Sequence, residues 1–195
     1  MNEYVDGKLL VAPPKMGDWR FAKTVLYLWK HDVSGAAGVI LNKTMTAPTF
    51  KRVCKEANVK RLDEVNPQMY YGGPIMDNLI GVLHTTDYII ASTHMKKGCD
   101  IGYTLDKKIV EDIASGIVKP KHFKVCMGMA SWDAGQLDTE LDGDPPRLPG
   151  SAWLVLDYDE KLVFTEETDG MWEKCLNLAI AQKTNSFTDK IFNKN

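Results

Sequence analysis

Strand-forming runs follow one another through the first third of this chain with no helix between them, and that succession constrains the fold most. Lys8-Leu9-Leu10-Val11-Ala12 is short and apolar and is stopped by Pro13-Pro14. Thr24-Val25-Leu26-Tyr27-Leu28-Trp29 is β-branched and aromatic, and Gly38-Val39-Ile40-Leu41 follows the turn signal Asp32-Val33-Ser34-Gly35. Two strands joined by so short a loop must pair antiparallel. Consecutive strands without intervening helices argue against a doubly wound parallel sheet, which needs a crossover helix between strands. Further strands are predicted at Gln68–Tyr71, Ile80–His84, Tyr88–Thr93 and His122–Gly128, with a turn or short strand at Gly98–Gly102. Trp153–Leu156 and Lys161–Phe164, flanking the acidic Asp157-Tyr158-Asp159-Glu160, read as a hairpin.

Helical spacing is confined to a few places. Phe50, Val53, Cys54 and Ala57 share a face behind Thr49, a good N-cap. Leu105, Ile109, Ile113 and Ile117 form a stripe from about 105 to 117, with Thr104 as its expected cap. Trp172, Cys175, Leu176 and Ala179 lie on one face of a final helix over 169–182. The reading is an α+β fold: a mixed, largely antiparallel, curved sheet with three or four outer helices. With 195 residues, 44% of them apolar and 26% charged, the chain suits one domain over residues 1–183, followed by a polar, loose tail at 184–195.

Several function classes fall away at once. The longest apolar stretch, Gly35 to Leu41, is far too short to span a bilayer, and residues 1–6 lack the pattern of a signal peptide. The four cysteines (54, 99, 126 and 175) include no C-x-x-C pair, so reduced thiols, no metal and a cytoplasmic location are expected. Asp138-Thr139-Glu140-Leu141-Asp142-Gly143 opens like a calcium loop, but the position that needs Glu is Pro149. No cofactor fingerprint occurs, neither a P-loop nor G-x-G-x-x-G, and Ser131 lacks the glycines of a hydrolase elbow.

Charge is uneven although the net value is only −2. Residues 1–61 carry eleven Lys or Arg against five acids; residues 133–173 carry twelve acids against Arg147 and Lys161. The basic third (Lys15, Arg20, Lys23, Lys30, Lys43, Lys51, Arg52, Lys55, Lys60, Arg61) allows weak, non-specific contact with nucleic acid, while the acidic region opposes it. Specific DNA binding has no support in the sequence.

Three Gly-rich polar segments interrupt the apolar strands: His31–Gly38 with Asn42-Lys43 beyond it, Gly72-Gly73-Pro74 answered by His84–Asp87, and Gly128–Leu137. In the last, Asp133 and Gln136 have capping-box spacing at a helix start. Such small residues either open backbone N–H groups to an anion or simply let a strand and a helix pack closely.

These segments resemble the YqgE/AlgH family of bacterial proteins, whose members carry the label transcriptional regulator. The first block is Leu9-Leu10-Val11-Ala12, Pro14, Met16, Asp18, Phe21, Thr24-Val25, His31, Gly35-Ala36, Gly38 and Asn42-Lys43. The second is Gly72-Gly73-Pro74 with Leu83-His84; the third is Gly128, Ala130, Trp132, Gly135-Gln136-Leu137 and Glu140, followed by Trp153 and the stretch from Leu162 to Trp172. The resemblance covers about residues 7–182. It departs at Trp19, where the family has proline, at Leu79-Ile80-Gly81, and in about seven extra residues around Gly143 to Gly150. It implies a bifurcated, barrel-like sheet, and no reaction. No helix-turn-helix supports the regulator label.

The expectation is a cytoplasmic regulatory or ligand-binding protein, acting on a small ligand or a protein partner. Its pocket would be built from His31, Asn42, Gly72, Gly73, Pro74, His84, Trp132 and Gln136. The alternative is a small hydrolase-like enzyme using His31 or His84 as base near Gln136.

Overall fold

The computed structural model describes residues 4–142 and 152–192. The insertion around Gly143 to Gly150 lies outside them. Strand β1 (Leu9–Val11) lies between β2 (Val25–Asp32) and β10 (Leu154–Leu156), and β2 pairs with β3 (Gly35–Ile40), all antiparallel. Next comes β9 (Phe123–Trp132), then β6 (Ile75–Thr85), β8 (Ile101–Thr104) and β7 (His94–Met95), again antiparallel. The sheet forks at β9. Its second half pairs with β3, and its first half pairs in parallel with β5 (Met69–Tyr71), beside which lies β4 (Thr44–Met45).

The α+β class and the largely antiparallel, bifurcated sheet agree with expectation. The barrel-like closure does not occur: the outer strands β10 and β7 do not pair with each other. Curvature nevertheless brings the two wings close, with Trp29 of β2 stacked 5.0 Å from Tyr103 and tilted 5.2 Å from His94.

The fork requires glycine. Val125, Cys126 and Met127 pair with β5 on one edge and with β6 on the other. The link from Tyr71 to Ile75 must therefore cross β9. It does so with backbone on backbone. A Cβ on Gly72 would overlap the Gly128 carbonyl oxygen, and one on Gly73 the Met129 backbone; Gly73 and Gly128 also hold φ of +151° and +74°. Gly72 then ties both ladders, donating to Met127 O (2.8 Å) and accepting from Ile40 N (2.9 Å).

Among the described residues there are five helices. Helices α1 (Phe50–Glu56, capped by Thr49) and α2 (Lys107–Ser115) bury Phe50, Val53, Ile109 and Ile113 against β5, β6 and β9. A second core lies beneath α5 (Met171–Phe192), with Met171, Cys175 and Ala179 on Leu9, Tyr27 and Val39. A third gathers Leu10, Leu26, Trp132 and Trp153 with Leu137 of α3 (Gln136–Asp142).

Four local expectations are corrected. Asp106, not Thr104, caps α2, and its side chain accepts from Lys108 N; Thr104 belongs to β8, where its hydroxyl meets His84. The helix stops at the left-handed Gly116, which leaves Ile117 85% exposed. Tyr88–Thr93 is not a strand: a turn closed by Tyr88 N to Thr85 O leads into it, and a second, closed by Thr93 N to Ile90 O, ends it. Lys161–Phe164 belongs to α4 (Glu160–Phe164), because Asp159 accepts from Leu162 N and offers the chain a helical start. Lastly, α5 runs past the expected helix end near 182 to Phe192; no glycine or proline after Gly170 interrupts it.

Lys124 of β9 is only 2% exposed. Its Nζ donates to Thr165 O at the end of α4 (2.6 Å) and lies 3.8 Å from the Tyr70 ring centroid. Burial pushes its pKa from 10.5 down to about 8. Between those values the unfolded chain binds more protons, so the charge opposes folding fully below pH 8 and is relieved as pH rises toward 10.5. Chemical unfolding of wild type and Lys124→Met from pH 7 to 10.5 should show wild type gaining relative to the variant, by up to about 1.4 kcal/mol per pH unit. The buried thiols titrate in both proteins and cancel to first order. A separate expectation concerns the crossing. Gly72→Ala should cost more than about 3 kcal/mol or prevent folding, whereas Gly17→Ala, with open space around it, should melt close to wild type.

Candidate functional site

The segment after β1 turns on Pro13, whose carbonyl accepts from Met16 N (3.0 Å), and enters a short 3-10 turn, Trp19–Phe21. Asp18 caps that turn, accepting from Arg20 N (2.9 Å), and also grips the Arg20 guanidinium, which donates from Nε (3.0 Å to Oδ1) and Nη2 (2.6 Å to Oδ2). The Arg20 hydrogen bond holds the Asp18 carboxyl below the usual carboxylate range. The turn sends neighbouring aromatics opposite ways. Phe21 packs on Trp132 (centroids 6.4 Å) and Trp153 (5.8 Å), while Trp19 is 82% exposed.

Facing Phe21, β9 ends at Trp132 and the chain enters α3 through Gly135, whose φ of +72° suits glycine. Gln136 and Glu140 stand one helical turn apart and so point the same way, while Leu137 enters the core. Glu140 is the centre of the arrangement. Its Oε2 accepts from the indole Nε1 of Trp132 (3.0 Å) and of Trp153 (2.8 Å), and its Oε1 accepts from Gln136 Nε2 (3.1 Å). Gln136 Oε1 in turn accepts from Asp133 N (3.0 Å), which is the backward half of the predicted capping box.

These groups surround a cavity of about 440 Å³. Lys15, Met16, Asp18, Arg20 and Phe21 form one side, Pro74 and Ile75 another; Ser131, Trp132, Gln136, Glu140 and Trp153 complete it. Of the eight residues expected to form a site, the cavity collects Pro74, Trp132 and Gln136.

The other five lie elsewhere. Gly72 and Gly73 make the backbone crossing. Asn42 pins β2 to the end of β3, accepting from Val25 N (2.9 Å) and donating to Lys23 O (2.9 Å). His31 is buried on β2; its Nδ1 accepts from Val5 N (3.0 Å), and its Nε2 lies 3.6 Å from Asp138 of α3. His84 is fully buried in a directed chain. Ile90 N donates to Thr93 Oγ1 (3.1 Å), Thr93 to Thr104 Oγ1 (2.8 Å) and Thr104 to His84 Nε2 (2.9 Å), while His84 Nδ1–H donates to Thr85 O (3.0 Å). Burial lowers the His84 pKa, which favours this neutral form. Neither histidine lines the cavity, and both rings are engaged where they stand.

The basic third is dispersed among local roles. Arg52 pairs with Glu56 (2.7 Å), Lys43 donates to Arg20 O (2.8 Å), and Arg61 binds the carbonyls of Leu62, Asp63 and Val65. Among the described residues no group of His, Cys, Asp and Glu is arranged to hold a metal, all four cysteines are free thiols, and no helix is long and apolar enough to cross a membrane.

The site residues that sequence reasoning missed are Asp18, Arg20, Phe21, Glu140 and Trp153. The Gln136 to Glu140 spacing was a readable sign that both share a helix face. Nothing local announces that Trp153 and Phe21 meet there.

Comparison with known proteins gives a uniform result. A family model described as AlgH-like matches residues 9–183. A UPF0301 protein of Methylococcus capsulatus is 35% identical over 175 residues, 89% of this chain and 90% of that one. A UPF0301 protein of a Bradyrhizobium species is 32% identical over 181 residues, covering 89% and 80%. The solution structure of the AlgH protein from Pseudomonas aeruginosa superposes with a TM-score of 0.68 at 26% identity, covering 94% of this chain and 97% of that one. A crystal structure of a Corynebacterium diphtheriae protein shares the fold at a TM-score of 0.62 and 19% identity, covering 89% and 86%.

The Glu140 cluster generates a stability expectation. Glu140→Ala strands two buried indole N–H groups and should cost about 3 kcal/mol in urea unfolding, while Glu140→Gln, which keeps one acceptor oxygen, should cost less than half of that. Equal losses for the two variants would show that the carboxylate does not hold the indoles.

Proposed function

This chain belongs to the AlgH-like family, and from that premise we propose that it is a ligand-binding protein of the cytoplasm, regulatory in role, whose site is the cavity walled by Phe21, Trp132 and Trp153. One observation carries the reading: a single carboxylate, Glu140, engages three N–H donors from β9, α3 and the residue preceding β10, and so holds the cavity wall in one arrangement. Rigid walls set before a ligand arrives reduce the entropy lost on binding. The volume lies in the range of small-molecule sites, and the lining mixes aromatic faces with a few polar groups, as such sites do. The free thiols favour a reducing compartment.

The hydrolase alternative draws no support from His31 or His84, which stand outside the cavity with their rings engaged. Gln136, cast there as an anion stabiliser, has both ends of its amide bonded within the protein. The weak nucleic-acid alternative loses Arg52 and Arg61, which are already engaged within the chain.

Ligand-detected NMR against a fragment library tests the proposal. Wild type should bind a subset of fragments, and Ser131→Trp, which fills the cavity from an exposed position, should weaken those same fragments at least tenfold while melting close to wild type. Fragments that bind both proteins equally, or none that bind wild type, would overturn it.

A further inference from the structure

Resting on that reading, we infer that the cavity takes an amphipathic monoanion: a planar apolar body carrying one carboxylate. Most polar groups around the cavity are already engaged within the protein. Both Asp18 oxygens accept from Arg20, and both Glu140 oxygens accept from the indoles and Gln136. The Gln136 amide is bonded at both ends. The carboxylate and amide oxygens of the lining are thus engaged, and the groups left for a ligand are mainly donors: Lys15 Nζ, the remaining Arg20 N–H groups, and the Ser131 hydroxyl, which can donate or accept. Lys15 has no ion-pair or hydrogen-bond partner among the described residues, and Arg20 uses only Nε and Nη2 on Asp18. A ligand that brings acceptors matches these donors.

The same geometry limits the head group to a single charge. Asp18 occupies the Nε/Nη2 face of the Arg20 fork and balances its charge, so Lys15 is the one cation of the lining with no ion pair among the described residues. The Nη1 and remaining Nη2 N–H groups of Arg20 and the Lys15 ammonium are left to donate to the two oxygens of a carboxylate. A phosphate monoester brings a second charge that Asp18 and Glu140 oppose. The rest of the wall is apolar: Met16, Phe21, Pro74 and Ile75 beside the indole edges, a surface for a flat ring system rather than for a sugar.

Calorimetric titration of the full chain with three matched probes tests this. 2-Naphthoate should bind at least tenfold tighter than the neutral 2-naphthamide and at least as tightly as 2-naphthyl phosphate. Lys15→Gln should weaken 2-naphthoate at least fivefold without changing the amide, and Lys97→Gln, an exposed cation away from the cavity, should change neither. Equal binding of acid and amide, or tighter binding of the phosphate, overturns the monoanion inference while leaving the cavity as the site, provided that Ser131→Trp abolishes that binding. Binding of the naphthoate that Ser131→Trp leaves intact overturns both readings, and absence of binding by all three probes overturns the inference, with the fragment screen deciding the cavity reading separately.

Discussion

One strand serves two ladders, and the fold depends on how the chain passes it. β9 carries β5 and β6 on its opposite edges over Val125–Met127 and then β3 over Ala130–Trp132. For β5 to lead directly into β6, the link must lie against the β9 backbone, and a side chain at Gly72 or Gly128 would occupy space that main-chain atoms already fill. Backbone against backbone leaves no compromise of rotamer or repacking, so this constraint is stiffer than that of an ordinary core contact. It allows the sheet to fork at β9, and it brings Pro74 and Ile75 to the end of β9 beside Trp132.

The cavity depends on that crossing from one side and on Glu140 from the other. β9 delivers Trp132, and Gly135 turns the chain so that α3 presents Gln136 and Glu140 back toward it. A half-buried carboxylate that accepts three hydrogen bonds is well compensated, and the two indoles obtain the partners their burial demands. Packing and polar satisfaction thus act on the same three side chains. Elsewhere the fold places buried polar groups the same way. The His84 chain runs in one hydrogen-bond direction from Ile90 N to Thr85 O, and Lys124 lies against a helix end and an aromatic face. These groups lie in the part of the sheet formed by β5, β6, β8 and β9, and none of them lines the cavity.

Misreadings of the sequence share one physical cause: local patterns that two structures can satisfy. Leu162 and Val163 suit a strand by composition, yet a capping aspartate one turn earlier makes a helix available, and both residues are buried from it. Tyr88 and Ile90 are good strand residues, but Thr93 bonds back to Ile90 and closes a turn instead. His31 and His84 stand at strand ends beside small residues, the usual setting of a site, while Val5 and Thr104, which engage one ring nitrogen of each, are 26 and 20 positions away. No window of sequence contains both partners.

What the sequence determined by itself was the succession of strands, hence an antiparallel sheet; the Gly-rich breaks where chain segments meet; and the family, carried by three ordered blocks. Those are short-range properties, encoded in side-chain alternation, turn chemistry and the conformational freedom of glycine. Which breaks shape a cavity and which merely let strands cross was decided only by the tertiary structure. Gly72-Gly73 and Gly135-Gln136 look alike as sequence, but the first pair meets another glycine of β9 and the second turns a helix toward two indoles. That difference lies in contacts across 56 residues for Gly72 with Gly128 and across 13 for Glu140 with Trp153, and such contacts exist only once the sheet has brought those segments together.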